Sequence, residues 1–116
     1  MAESVAREKS YAFSLRVVKL YQYLVDKKKE YVLSKQILRS GTSIGANVEE
    51  AIGSHSKKEF GAKISIAYKE ARETHYWLRL LTDSEYLLKK ESESLIADCE
   101  ELCKILGSTQ KTLQGK

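Results

Sequence analysis

A chain of 116 residues is long enough for one small domain and too short for two. It is 42% apolar and 31% charged with no proline, which excludes a disordered or proline-linked chain, and a net charge of +4 permits a polyanionic partner without requiring one. No run approaches the roughly 18 apolar residues of a membrane span, and Met1 to Ser10 lacks the apolar centre of a secretory signal, so a cytoplasmic protein with no membrane partner is expected. The charge is uneven, +5 over residues 1–83 and −1 over residues 84–116.

Apolar spacing predicts four helices, with boundaries set by glycine, polar clusters and caps because proline is absent. The first spans about Ser4 to Lys28, with Phe13, Val17, Leu20 and Leu24 on one face and Lys27-Lys28-Lys29 at the negative end of its dipole. The second spans about Leu33 to Ile52, carried by Ile37, Gly41, Ile44, Val48 and Ile52, with Gly53 as its stop. Gly41 and Gly45 inside it each cost about 1 kcal/mol relative to alanine, so a close helix neighbour is expected there. Ser56-Lys57-Lys58-Glu59 is a capping box for the third helix, about 57–82, whose core stripe is Phe60, Ile64, Ala67, Ala71, Thr74 and Leu78. The fourth, about 92–107, carries Leu95, Cys99, Leu102, Cys103 and Leu106, and the tail from Gly107 to Lys116 is expected to fray. Short connections between long helices favour an antiparallel up-down-up-down four-helix bundle, one all-α domain over residues 1–116.

One bundle does not use all the apolar surface. On the first helix Tyr11, Leu15, Val18 and Val25 continue beyond the core stripe, giving an apolar arc of about 220° instead of the roughly 100° of a surface helix. The third helix repeats this with Ile66, Trp77, Leu80 and Leu81 opposite its core stripe. A homo-oligomer using the outer faces of these two helices is therefore expected, closing as a ring if the contact is head to tail. Glu70 and Glu73, flanking Trp77, are candidates to pair with Arg or Lys across that subunit boundary.

Catalytic chemistry finds little purchase. A di-metal bundle site would need Glu-x-x-His motifs, and none occurs; His75 falls on the core side of its helix. Neither His55 nor His75 lies in a triad-like context, and no phosphate-binding loop is present. Cys99 and Cys103, four apart on an apolar face, read as buried thiols rather than as a disulfide or metal pair. No enzyme activity, catalytic residue, metal or cofactor is expected. The positive signal is charge striping. Lys9, Arg16, Lys19, Tyr23 and Lys27 form one basic ridge on the first helix, and Lys58, Lys69, Arg72, Tyr76 and Arg79 form another on the third. Such ridges attract phosphates, and tyrosines among them offer stacking surfaces for unpaired bases.

Several segments resemble the bacterial four-helix-bundle family named for proteins encoded in 23S rRNA intervening sequences. They are Ser10-Tyr11-Ala12-Phe13, the stretch from Gln36 to Ala51, Ser56 to Phe60, and Lys69 to Leu78, so the resemblance runs over about Ser10 to Leu88. It implies a homopentameric ring. It also implies kinship with the accessory proteins of diversity-generating retroelements, basic pentamers that bind nucleic acid and a reverse transcriptase. Two functions follow as expectations: a ring that binds RNA or DNA through its basic ridges, or a scaffold or accessory subunit for a nucleic-acid enzyme. Arg39 to Glu50 is read as structural, with Thr42 and Asn47 satisfying buried polar groups and Arg39 pairing with Glu49 or Glu50 across a contact.

Overall fold

The computed structural model describes residues 2–115, with side chains from residue 5 onward. Its helices are α1 (Ala2–Asp26), α2 (Leu33–Ile52), α3 (Lys57–Asp83) and α4 (Lys89–Gly115), with no strand among the described residues. Each helix packs on its successor, and α4 closes more thinly on α1. Ion pairs from Arg7 to Glu49 and from Glu50 to Lys63 each join the start of one helix to the end of its neighbour, and Lys9–Glu101 with Arg16–Asp98 run in opposite order along α1 and α4, so these helix pairs are antiparallel. The bundle measures 46 × 20 × 20 Å.

Phe13, Val17, Leu24, Ile37, Ile44, Val48, Leu78, Leu102 and Leu106 are almost fully enclosed, at the recurrence that places them on one face of each helix. The α2 glycines bring α1 close. A Cβ on Gly41 would lie 2.8 Å from both γ-methyls of Val17, and one on Gly45 would lie 3.2 Å from Ser14 Oγ and 3.3 Å from the Ser10 carbonyl. Their helix-propensity cost is thus exchanged for backbone proximity. Deeper in the core, Thr74 Oγ1 lies 2.9 Å from Ser40 Oγ, so both buried hydroxyls are partnered.

The connections show what sets the helix ends. The Ser56 hydroxyl accepts from the Glu59 amide at 3.0 Å, and Glu59 reaches back to the His55 amide at 2.9 Å, so the predicted capping box forms one residue wider than its usual register. α2 stops before Gly53 with φ of −84°, a conformation open to any residue. Between α1 and α2, Lys29 turns the chain at φ of 54° and delivers Glu30 to the α2 N-terminus. The Glu30 carboxylate accepts from the amides of Ser34 at 2.7 Å, Leu33 at 2.9 Å and Val32 at 3.2 Å. Although burial pushes its pKa up, these amides and the Ser34 hydroxyl outweigh that and hold it below the ordinary carboxylate value.

Two expectations are corrected. The tail is helical through Gly115, because Gly107 lets Tyr68 lie against the α4 backbone, Gln110 Nε2 donates to Ser65 Oγ at 2.7 Å, and Leu113 reaches Gly61. Gly107 is therefore a packing residue inside α4 and not its end. Leu81, expected on the outer face, is completely buried, because the α3–α4 turn folds over it and the Tyr86 amide donates to its carbonyl at 2.9 Å.

Candidate nucleic-acid interface

The two basic ridges meet different neighbours. The α1 ridge borders α4, where Lys9 pairs with Glu101 at 3.2 Å and Arg16 with Asp98 at 2.6 Å. Lys19 and Lys27 remain exposed, and the half-buried Tyr23 has the Lys28 ammonium 6.0 Å from its ring centroid. Half of this ridge's cations are thus matched within the chain.

The α3 ridge keeps its charge. Lys58, Lys69, Arg72 and Arg79 are exposed, and none forms an ion pair among the described residues. Arg72 Nη1 donates to the Tyr68 hydroxyl at 3.0 Å and its guanidinium lies 5.9 Å from that ring centroid, which fixes both side chains. Tyr76, about half exposed, meets Trp77 edge to face with centroids 5.1 Å apart. Beside this ridge an open groove of about 630 Å³ runs between α3 and α4, and Lys104 and Lys111 of α4 line it. These two lysines are also outside every ion pair among the described residues. They extend the cationic face, and the sequence reading missed them. Their signal was their spacing of seven on one helix, hidden by ending that helix at Gly107.

The acids lie on the opposite flank of α3. Arg39 of α2 bonds both Glu70, at 3.3 Å, and Glu73, and Glu73 also accepts from Trp77 Nε1 at 2.9 Å. Both candidates for a pair across a subunit boundary thus have a cationic partner within their own chain. Arg39 does not pair with Glu49 or Glu50, which are held by Arg7 at 2.8 Å and Lys63 at 2.7 Å. Thr42 and Asn47 bond back to the Leu38 and Ser43 carbonyls of their own helix.

Of the expected oligomer face, Tyr11 (66% exposed), Leu15 (51%) and Val18 (38%) form a continuous apolar stripe on α1. It flanks a groove of about 760 Å³ between α1 and α2. Ile66 is exposed, Val25, Trp77 and Leu80 are half-buried, and Leu81 belongs to the core. Of the expected outer-face residues, the exposed ones thus lie mainly on α1.

Residues 3–108 match the family described as 23S rRNA-intervening sequence protein. The chain belongs to that family. Among solved structures, the chain is similar to a protein of unknown function from the S23 ribosomal protein family of Bacteroides thetaiotaomicron VPI-5482. The TM-score is 0.93 at 50% identity, covering 96% of this chain and 99% of that one. No curated protein matches the chain.

In this family member His75 of α3 and Glu100, Cys99 and Cys103 of α4 have local partners. His75 and Glu100 meet at 3.0 Å, with His75 part-buried at the bundle edge. The buried Cys99 thiol donates to the Ala71 carbonyl at 3.3 Å, and its interaction with the neighbouring Cys103, followed by burial, pushes its pKa up. Cys103 is half-buried and lines the α3/α4 groove, and the neighbouring Cys99 thiol, with the Arg72 charge, lowers its pKa against the effect of burial.

Proposed function

We propose that the protein acts by binding rather than by catalysis, as a homopentameric ring that holds RNA or DNA along the face shared by α3 and α4. The observation that carries this reading is the separation of charge. Glu70, Glu73, Asp98 and Glu101 are engaged by cations on other flanks, while Lys104 and Lys111 line the groove, Arg72 bonds its Tyr68, and Lys58 and Lys69 lie exposed on α3, none of the five in an ion pair among the described residues. The exposed stripe of Tyr11, Leu15 and Val18 supports association of copies through α1, since a contiguous apolar strip on a small protein is costly to leave in water. A ring repeats the cationic face, so one polyanion can engage several copies with avidity.

Fluorescence anisotropy with labelled RNA and DNA across a salt series tests the reading. With those five cations each on one phosphate, log K falls with log salt at a slope of about −3.5 per protomer for a single strand. Lys69→Ala combined with Arg72→Ala flattens the slope by about 1.4. Affinity that ignores both salt and these substitutions removes the proposal.

A further inference from the structure

We infer that the α3/α4 groove seats an unpaired nucleobase, so that the strand held on this face is single-stranded; this rests on the nucleic-acid reading above and narrows its ligand. The groove's volume, about 630 Å³, falls within the 300–1,000 Å³ of clefts that enclose small ligands. Its lining comes from Tyr68 of α3 and from Cys103, Gly107, Ser108, Gln110 and Gln114 of α4.

One wall is aromatic and held in place. A Cβ at Gly107 would come within 3.2 Å of Tyr68 Cε1, so glycine lets the ring lie close to α4 without displacing it, and the Arg72 bond holds its hydroxyl. The opposite lining is polar and uncharged, from Ser108, Gln110 and Gln114. Gln110 donates one amide N–H to Ser65, and its other N–H and its amide oxygen have no partner among the described residues, a donor and an acceptor that match the polar edge of a base. Arg72, Lys104 and Lys111 stand at the margins, where the phosphates on either side of a seated base would pass. Duplex nucleic acid keeps its bases stacked inside and could use these cations but not the Tyr68 wall.

The test compares a short single-stranded oligonucleotide, the same sequence as a duplex, and inorganic polyphosphate at one salt concentration, using the intact protein and Ser108→Leu. Ser108 is exposed on the groove, and leucine there fills space without changing charge. The single strand should bind at least tenfold more tightly than the duplex, as expected from one stacked base. Ser108→Leu should remove that preference and leave polyphosphate affinity within twofold. Cys103 gives a second readout, because a strand lying in the groove should slow its alkylation by N-ethylmaleimide at least fivefold, whereas polyphosphate should not. Equal affinity for single strand and duplex, or unchanged Cys103 alkylation under saturating single strand, overturns the inference while leaving polyanion binding standing. Failure to bind any of the three ligands overturns the broader reading and this one together.

Discussion

Replacing Glu30 with glutamine removes a negative charge from the N-terminus of α2 while keeping the side chain's length. In the native chain that carboxylate, only 8% exposed, accepts three backbone amides that α2 cannot satisfy itself, at 2.7, 2.9 and 3.2 Å. Hydrogen bonds to a charged acceptor contribute about 1 kcal/mol more than neutral ones, and a charge at a helix N-terminus adds about 0.3–1 kcal/mol. Glutamine keeps an acceptor but loses both increments, so Glu30→Gln should cost about 2 kcal/mol. For a chain of this length that lowers Tm by about 8 °C. The effect has a pH signature. Because Glu30's pKa is depressed in the folded chain, the unfolded chain takes up its proton first as pH falls. The carboxylate's stabilisation is complete above the unfolded value of about 4.3 and is lost as pH drops through the folded value. Thermal melts of parent and variant at equal protein concentration should therefore differ at pH 7 and converge as pH falls well below the ordinary carboxylate value. A gap under 2 °C at pH 7, or one that persists undiminished at low pH, refutes the capping argument.

Three further outcomes follow from the packing and the surface. Gly41→Ala gains about 1 kcal/mol of helix propensity but drives a methyl to 2.8 Å from Val17, so the net result should be a loss of about 1 kcal/mol, with Val17→Ala in the same chain recovering it in a double-mutant cycle. Leu81→Ala should cost about 3 kcal/mol by denaturant melts, as for a completely enclosed leucine, whereas Ile66→Ala on the exposed face should cost under about 1 kcal/mol in a chain kept monomeric. Leu15→Glu with Val18→Glu should leave helical content unchanged and reduce the native mass to a single copy; a parent chain already monomeric at micromolar concentration would defeat the assembly proposal.

What the sequence discloses is governed by how local the cause is. α2 appears over the predicted residues because its apolar recurrence and its glycine boundary lie within the segment itself, and the Ser56–Glu59 cap announces α3 for the same reason. The end of α4 was misjudged because Gly107, Gln110 and Leu113 are held by Tyr68, Ser65 and Gly61, residues about forty to fifty positions away, and no local rule reports such contacts. Leu81 deceived for a related reason. Its wheel position is at the rim of the outer arc, and only the return of the chain through Tyr86 and Leu87 covers it. No local pattern marks Glu30 as a helix cap, because only the left-handed turn at Lys29 swings it under α2.

The candidate site was legible to the extent that it lies on one helix. The α3 ridge could be read from periodicity alone, but whether a ridge retains its charge depends on the helix beside it, and α4 has two unlike flanks. Asp98 and Glu101 face α1, whereas Lys104 and Lys111, roughly 100° round the same helix, border α3. The same element therefore neutralises one predicted ridge and enlarges the other. That asymmetry lets a chain of only +4 keep its unpaired cations together on α3 and α4, since the carboxylates of Glu49, Glu50, Glu70, Glu73, Asp98 and Glu101 lie in ion pairs elsewhere on the surface. Net charge is the wrong measure for such a chain; the placement of its ion pairs decides where positive charge is left over.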